Sequence, residues 1–592
     1  MFNKFPINYV RSKTDIQLLV GYEAITSQVV HFIEDRKTSN IVLAFDGSNG
    51  ADYLTLLQKL TVILENRNYV LNIQCTSSYL KSGTNLRELF AENITDNRAF
   101  GFVTQSEIAD YFTESAKEEL KNTVSSSCKG ENSISIVFGP GSYWLCNGIC
   151  DLLCFLDVSR EYQQIEYKKQ LLNFGMDWNK DFVEKYKIAY FVEWPILENY
   201  RKKIFDKIDF YLDLNNPKKP VAVQGTDLVN IIHEVVKAPI RVKPFYAPGV
   251  WGGQRLKELA DLPEEWVNCA WQFEPIAPEN SILLGVNQNV IEVPFLIVMA
   301  QEYINIMGER PVRLFGDYFP IRFDYLDTID GDNLSCQVHP KQAYIKNHFN
   351  EKMPQQESYY IMEKKDNSKV YLGLTNNTNE ENFRNAVINA QNTGIPFKFT
   401  DYVNEFDSNI GDLFLIPTGT VHCSGKNNLV LEISSTTWWF TFKIYDFLRK
   451  DLDGKPRPIN IEHGFNNIDF YKKTDWVKEN LIPEPRLINE QNNNKEYLLG
   501  QREDLLFYVK RVHLIDEWVD DTEKEFVMYN LVKGEKVRIV SLTDETVFVE
   551  MSYAESFIIP STFGKYKIVN IGSVPCQLIK AGVSPEWEVI YK

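Results

Sequence analysis

The chain has 592 residues, too many for one hydrophobic core, so we expect two to four domains. Its 63 lysines and arginines against 80 aspartates and glutamates give a net charge of −17, which would repel a phosphate backbone and excludes nucleic acid as a partner. No run approaches ~18 consecutive apolar residues, which excludes a membrane-spanning helix. The first residues lack the basic-then-apolar order of a secretory signal, and the nine cysteines include no CxxC pair. Both features predict a cytoplasmic protein with reduced thiols.

Residues 1–238 alternate short apolar runs with helical periods. The apolar runs predict strands at 39–45, 134–138, 153–158 and 188–192. A helix is predicted after the first of them, because apolar residues recur on one helical face between residues 53 and 64. Strands separated by helices indicate an α/β domain with a mainly parallel sheet.

The sequence pattern changes from about residue 244. Short strand patterns, turn residues and aromatics there predict an all-β sandwich or barrel. The polar stretch 482–495 carries two prolines and predicts a linker or long loop. Strand patterns resume beyond it, including 537–540 and 556–560. The predicted domains are therefore 1–238, 239–480 and 481–592.

Four residues of the middle domain form a candidate metal site. Gln337 and His339 alternate along a predicted strand and so point to one face. Glu357 and His422 follow further along the chain. Two imidazoles, a carboxylate and an amide oxygen suit zinc or another first-row divalent metal. Spacing alone leaves open the alternative that each histidine is only a satisfied polar residue.

Residues 240–592 contain four motifs: Trp-Gly-Gly-Gln-Arg-Leu at 251–256, Gln-Val-His-Pro at 337–340, Pro-Thr-Gly-Thr-Val-His at 417–422 and Phe-Lys-Ile-Tyr-Asp at 442–446. They occur in the order found in type I mannose-6-phosphate isomerases, a cupin family that this region resembles. The resemblance implies a double cupin, or jelly-roll, module. It also implies a sugar phosphate as the small-molecule substrate, with mannose 6-phosphate and fructose 6-phosphate interconverted through an enediol.

The resemblance also assigns roles to individual residues. It implies that one zinc ion is held by Gln337, His339, Glu357 and His422, that Ser335 contacts the phosphate, and that Lys443 occupies the place of the family's active-site arginine. Gln355 stands where the family has a lysine, two residues before the ligand glutamate. An amide cannot act as an acid or base, so the alternative is a catalytically altered metal-binding cupin with a regulatory or sugar-phosphate-binding role. Whether the chain forms a homo-oligomer is left open.

The stretch 42–51, Val-Leu-Ala-Phe-Asp-Gly-Ser-Asn-Gly-Ala, resembles the phosphate-binding loop of uridine-kinase-like P-loop kinases. The Gly-Lys-Ser/Thr that should end this loop is replaced by Asp-Tyr-Leu at 52–54. The cation that neutralises phosphate and the hydroxyl that binds magnesium are thereby lost. The sequence therefore predicts a degenerate P-loop domain without kinase activity and with a regulatory, oligomerising or scaffold role.

Overall fold

The computed structural model describes residues 2–12, 14–36, 40–127, 132–179, 181–450, 454, 457 and 459–591. They form two compact units. An α/β unit contains residues 7–235 together with 281–301, and a β-rich unit contains residues 2–6, 236–280 and 302–591. Among the described helices, none combines the length and the hydrophobicity that crossing a bilayer requires.

The α/β unit takes its first eight strands and ten helices from residues 7–235. The strands are β1 (Ile7–Tyr9), β2 (Leu19–Val20), β3 (Asn40–Gly47), β4 (Val70–Cys75), β5 (Ser133–Phe138), β6 (Leu152–Asp157), β7 (Phe210–Asp213) and β8 (Val221–Gln224). The helices are α1 (Tyr22–Asp35), α2 (Tyr53–Asn66), α3 (Gly83–Leu89), α4 (Ala91–Ile94), α5 (Ala116–Ser127), α6 (Ser142–Cys146), α7 (Arg160–Lys169), α8 (Phe182–Ile188), α9 (Trp194–Ile204) and α10 (Gly225–Val235).

Seven of these strands form one sheet, in the order β2-β8-β7-β6-β3-β5-β4. The five neighbouring strands from β7 to β4 are parallel to one another. Strand β8 pairs antiparallel with β7, and β2 pairs antiparallel with β8. β3 is buried from its second residue to its last, which explains its continuous apolar run, since helices cover both faces of a parallel sheet. The strands predicted at 39–45, 134–138 and 153–158 are confirmed in β3, β5 and β6, with Ser39 outside the described residues.

The predicted strand at 188–192 is wrong. These residues are helical, because α8 continues through a π-helical turn at Ala189–Glu193 directly into α9. Every residue of that turn is buried. A helix buried on all sides has the same short apolar run as a buried strand, so periodicity alone could not separate the two.

The strands from residue 245 onward are numbered in continuation. They are β9 (Phe245–Ala247), β10 (Trp271–Phe273), β11 (Ser281–Val286), β12 (Asn289–Pro294), β13 (Ile321–Asp327), β14 (Cys336–Val338), β15 (Glu357–Lys364), β16 (Lys369–Leu374), β17 (Val403–Asp407), β18 (Leu413–Ile416), β19 (His422–Ser424), β20 (Asn428–Ser435), β21 (Phe442–Tyr445), β22 (Arg486–Gln491), β23 (Asn494–Gly500), β24 (Phe507–Leu514), β25 (Glu517–Asp521), β26 (Val527–Lys533), β27 (Lys536–Ser541), β28 (Phe548–Ser552), β29 (Ser556–Ile559), β30 (Lys565–Asn570) and β31 (Cys576–Val583). The helices are α11 (Arg255–Leu259), α12 (Phe295–Met307), α13 (Glu309–Phe315), α14 (Gln342–Phe349), α15 (Glu380–Thr393), α16 (Ile461–Phe465) and α17 (Thr474–Asn480).

Strands β11 and β12 form a hairpin that lies in the α/β unit, where β11 also pairs with β1. The β-rich unit itself holds a first sandwich of two sheets, ordered β18-β15-β20-β13-β10-β9 and β17-β16-β19-β14-β21. Many of its side chains between the sheets are apolar, but a cluster of buried polar groups interrupts them on β13, β15 and β20 of one sheet and near β14 and β19 of the other. This architecture is consistent with the predicted cupin-type module.

A second sandwich follows, with sheets ordered β22-β23-β24-β31-β26-β29 and β25-β30-β27-β28. Its own apolar core is formed by buried side chains from the segment that runs from Val512 to Leu578. The strands predicted at 537–540 and 556–560 are confirmed in β27 and β29. The linker predicted at 482–495 is wrong for most of its length, because β22 and β23 form a hairpin there. Asn492 turns the chain with φ 53°, a conformation that asparagine tolerates better than most residues.

Candidate metal centre

One row of side chains crosses the smaller sheet of the first sandwich. Gln337 on β14 lies opposite His422 on β19 and, across its other edge, opposite Lys443 on β21. Residues that lie opposite each other in antiparallel strands present their side chains on the same face. The fold therefore places an imidazole, an amide and an ammonium side by side, although they are far apart in sequence.

Glu357, at the start of β15 in the larger sheet, meets this row together with His339. The Nε2 atom of His339 lies 3.0 Å from Glu357 Oε1, and that of His422 lies 3.4 Å from Glu357 Oε2. Candidate ligand atoms of the three residues all lie within 4.8 Å of one another. All three side chains are at most 2% exposed. The structure thus brings together three of the four residues predicted as metal ligands in a group that could hold an ion.

Both imidazoles are oriented with Nε2 toward this group. His339 Nδ1 donates to the Phe440 carbonyl at 3.2 Å and His422 Nδ1 to the Thr420 carbonyl at 2.9 Å. A carbonyl only accepts, so Nδ1 of each ring donates there and Nε2 is the atom that points toward the candidate site, as it does in metal-binding histidines. Burial also lowers the pKa of His422, which favours the neutral ring.

Glu357 is held from behind through one oxygen. Its Oε1 accepts from the Arg322 guanidinium at 3.0 Å and from the Gln355 amide at 2.8 Å. Burial alone would raise the pKa of Glu357, but His339, His422 and Arg322 hold it well below its usual range. Its Oε2 and His339 Nε2 are buried without a hydrogen-bond partner. Two imidazole nitrogens and a carboxylate oxygen that meet in a buried space are the ligand types that a divalent metal takes, so the donor set fits such an ion.

Arg322 also contacts two further buried carboxylates, Asp324 at 2.9 Å and Glu432 at 2.7 Å. Burial raises the pKa of Asp324 to about 7 and that of Glu432 well above its usual range. With Glu357, three carboxyl groups face one guanidinium, and the raised pKa values mean that burial disfavours the ionisation of all three at once.

Gln337, the fourth predicted ligand, lies at the site with its amide nitrogen 3.2 Å from His422 Nε2. An amide nitrogen cannot bind a metal, but a half-turn of the amide exchanges it for the oxygen, and the two are assigned from their partners alone. The side chain is 8% exposed, the most accessible of the four. Its role as a ligand stays a prediction.

Ser335 and Lys443, the predicted substrate-binding and catalytic residues, lie beside the cluster. The buried Ser335 hydroxyl donates to Asp446 at 2.8 Å, and the Arg457 guanidinium lies 3.4 Å from the same hydroxyl oxygen. Lys443 is half-buried in the row with Gln337. Neither role is tested by these contacts, so both stay predictions.

Gln355, which stands where the resembling family has a lysine, is buried against the cluster. Its side chain is 1% exposed and points to the candidate ligand Glu357 and to Thr441, whose hydroxyl lies 3.3 Å from the amide nitrogen. Gln355 thus orients the carboxylate. Sequence reasoning missed Arg322, Asp324 and Glu432 altogether, although charged residues at alternate positions of otherwise apolar strands were a usable signal.

In the α/β unit, the loop after β3 is closed by its own contacts. The amides of Gly47, Ser48, Ala51 and Tyr53 all bond within the chain. The Asp46 carboxylate accepts from Gly47 at 2.7 Å and from the amides of Gly141 and Tyr143 at 2.9 and 2.8 Å. Burial raises its pKa to about 6 despite these donors.

The helix that follows this loop is capped internally as well. Asp52 accepts from the Thr55 amide at 3.0 Å, so a side-chain carboxylate lies at the N-terminus of α2. Ser48 donates to the buried Asp157, and the Gln163 amide donates to the Asn49 carbonyl at 2.8 Å. Several amides of this loop and of the first turn of α2 therefore already donate to protein groups, and a carboxylate lies at the helix N-terminus, where a phosphate would bind.

Comparison with known proteins gives one family match and several relatives. Residues 21–237 match the model of a family described as a domain of unknown function, DUF8485. Over 332 residues the chain is 24% identical to the mannose-6-phosphate isomerase ManA of Bacillus subtilis, covering 56% of this chain and 95% of that protein. Over 227 residues it is 29% identical to the mannose-6-phosphate isomerase of Streptococcus mutans, covering 38% of this chain and 65% of that protein.

Solved structures give matches of similar extent. The crystal structure of the mannose 6-phosphate isomerase from Bacillus subtilis matches 58% of this chain and all of that chain, with 20% identity and a TM-score of 0.47. A mannose 6-phosphate isomerase bound with zinc and yttrium matches 59% of this chain and all of that chain, with 13% identity and a TM-score of 0.44. At the level of sequence, the chain is homologous to mannose-6-phosphate isomerases over 56% of its length.

Proposed function

We propose that the β-rich unit is a metal-dependent sugar-phosphate isomerase of the cupin type, cytoplasmic, which interconverts mannose 6-phosphate and fructose 6-phosphate through an enediol. The observation that carries this proposal is the buried group of His339, Glu357 and His422, whose ligand atoms face one another. The homology to mannose-6-phosphate isomerases supports the same substrate class.

The ligand set supports zinc as the metal. Nitrogen from His339 and His422, one carboxylate oxygen of Glu357 and the turned amide oxygen of Gln337 would hold one ion and leave positions open for substrate. When bound, the ion would polarise the oxygens on C1 and C2 of the sugar. It would thereby acidify the C–H proton that is transferred between these two carbons.

The remaining chemistry falls to side chains of this protein. A proton must move between C1 and C2, and negative charge develops on the sugar oxygens while it moves. Gln355 can neither take nor give that proton at neutral pH. The ammonium of Lys443, opposite Gln337 in the row, is the group proposed to stabilise the developing charge. Ser335, with the Arg457 guanidinium beside it, is the proposed contact for the phosphate.

The test uses the full-length protein stripped of metal and reloaded with zinc, assayed for conversion of mannose 6-phosphate to fructose 6-phosphate. We expect turnover that depends on zinc, with the stripped protein as control. A protein that holds one zinc ion tightly and yet converts neither sugar phosphate would contradict the proposal. That outcome would favour the alternative, a catalytically altered metal-binding cupin that binds sugar phosphates in a regulatory role, for which the engagement of Gln355 with Glu357 is the supporting observation.

For the α/β unit we propose a degenerate P-loop-like domain with a scaffold or regulatory role and no nucleotide turnover. The support is the loop after β3, where Asp46 accepts from the Gly47 amide and the carboxylate of Asp52 caps the N-terminus of α2, so negative charge already lies where a phosphate would bind. Millimolar ATP with magnesium is therefore expected to leave the thermal unfolding midpoint where magnesium alone leaves it, because a ligand that does not bind cannot stabilise. A midpoint that rises with ATP concentration would refute this.

A further inference from the structure

The turn at residues 417–421 connects both metal-site histidines. The Thr420 carbonyl accepts from His422 Nδ1 at 2.9 Å, and the Gly419 amide donates to the His339 carbonyl at 3.0 Å. Gly419 has φ 78°, and a Cβ there would lie 2.5 Å from the Asp469 carboxylate, so only glycine fits. Any shift of this turn would therefore move one imidazole relative to the other.

A buried lysine holds this turn in place. Lys472 is 2% exposed, and its Nζ lies 2.7 Å from the Thr418 carbonyl, 3.1 Å from the Thr420 hydroxyl and 3.1 Å from Asp469. An ammonium has three N–H donors, and here there are three acceptors. Two of the three lie in the turn itself, and none of the candidate metal ligands is among them.

The segment that carries Lys472 is fastened to the strand end beyond His339 as well. The Asp469 amide donates to the Gly419 carbonyl at 2.9 Å, and the Asp469 carboxylate lies 2.6 Å from the Lys341 ammonium. The Lys341 amide donates to the Asn467 side chain at 3.0 Å. Residues 467–472 therefore clamp the two chain segments that present His339 and His422.

We infer that Lys472 is a positioning residue for the metal centre: through Thr418 and Thr420 it fixes the turn that sets the orientation of His422 and its distance from His339. Burying an ammonium is costly, and an apolar side chain could fill the same space at lower cost. A group that fixes the hydrogen bond on Nδ1 determines which way Nε2 points. This inference rests on the metal-binding part of the proposed function.

The test compares Lys472→Met with Lys580→Met in the full-length protein. Lys580 is a matched control because it is also a buried lysine, 6% exposed and paired with Asp520, but it lies in the second sandwich. Zinc affinity is measured by competition with a chromophoric chelator, and the geometry of the site by the visible absorption of the cobalt(II)-substituted protein. Thermal unfolding of the metal-free proteins measures the general loss of stability.

We expect Lys472→Met to weaken zinc binding about 10- to 100-fold and to change the cobalt spectrum. Lys580→Met should lower the unfolding midpoint while leaving both metal readouts as in the unchanged protein. Wild-type zinc affinity and cobalt spectrum in Lys472→Met would overturn the inference.

If Lys472→Met does not fold, Thr420→Val is measured in the same way; it removes the hydroxyl that accepts from Nζ and that also donates to the Pro417 carbonyl at 2.6 Å. An unaltered zinc affinity and cobalt spectrum in that variant would equally overturn the inference. A protein that binds zinc but converts no sugar phosphate would defeat the proposed isomerase and leave the role of Lys472 intact. A protein that binds no metal at all would defeat both.

Discussion

Replacing His422 by alanine is expected to abolish tight zinc binding and, with it, isomerase turnover. The substitution removes one of the three converging candidate ligand groups, and no other His, Cys, Asp or Glu side chain belongs to that group in the described part of the chain. It also leaves Glu357 facing only one imidazole. Losing a supporting partner of a metal ligand typically costs 10- to 100-fold in affinity, and we expect the loss of the ligand itself to exceed about 100-fold.

Zinc content after dialysis and zinc-dependent turnover are the measurements for this variant. His348→Ala is the control, because His348 is exposed on α14 and stacks on Tyr344 outside the cluster. His348→Ala should keep one zinc ion per chain and full activity. If His422→Ala retained stoichiometric zinc, the assignment of the site would be wrong.

The second large effect is expected from Lys443→Met, with zinc content unchanged and kcat reduced by about 10²- to 10⁴-fold. Lys443 lies opposite Gln337 in the β14–β21 pair, so its ammonium is on the face that carries the candidate ligands. Methionine preserves the length and most of the apolar contact of the side chain but removes the charge. The loss should therefore fall on the chemical step and leave metal binding intact.

Turnover, KM and zinc content of Lys443→Met are compared with those of Lys369→Met. Lys369 lies on β16 of the same sheet, and its ammonium pairs with the exposed Asp407 on the neighbouring strand β17. Lys443→Arg adds a test of charge alone, since it restores the cation with a planar fork in place of a single ammonium. A Lys443→Met protein with undiminished kcat would exclude Lys443 from the reaction.

The two variants together distinguish the proposed isomerase from the alternative, a catalytically altered metal-binding cupin. Zinc-dependent turnover that is lost in both supports an isomerase in which Lys443 and the metal suffice, although Gln355 replaces a lysine of the resembling family. Zinc binding that is lost in His422→Ala, in a protein without turnover, would instead support the metal-binding alternative. The contact between Gln355 and Glu357 explains why the site can keep its carboxylate in place without that lysine.

Much of the fold could be predicted from the sequence where a pattern is local. The alternation of apolar runs and helical periods correctly indicated β3, β5 and β6. It failed at 188–192, because a segment buried on all sides loses the periodicity that distinguishes helix from strand. It failed again at 482–495, where polar residues and prolines conceal an exposed hairpin whose strands are stabilised by pairing with their neighbours.

For the site, the sequence by itself determined which residue types are available: two histidines, a glutamate and a glutamine in motifs with a recognisable order. Only the tertiary structure decided that His339, Glu357 and His422 converge, because they come from two different sheets. His339 and His422 are 83 residues apart along the chain, which is far beyond any local period. It also decided the surroundings that make them a site, from the Arg322 contacts behind Glu357 to the turn held by Lys472. Hydrogen bonds and buried charges of this kind depend on distance in space, and a sequence pattern records distance along the chain only.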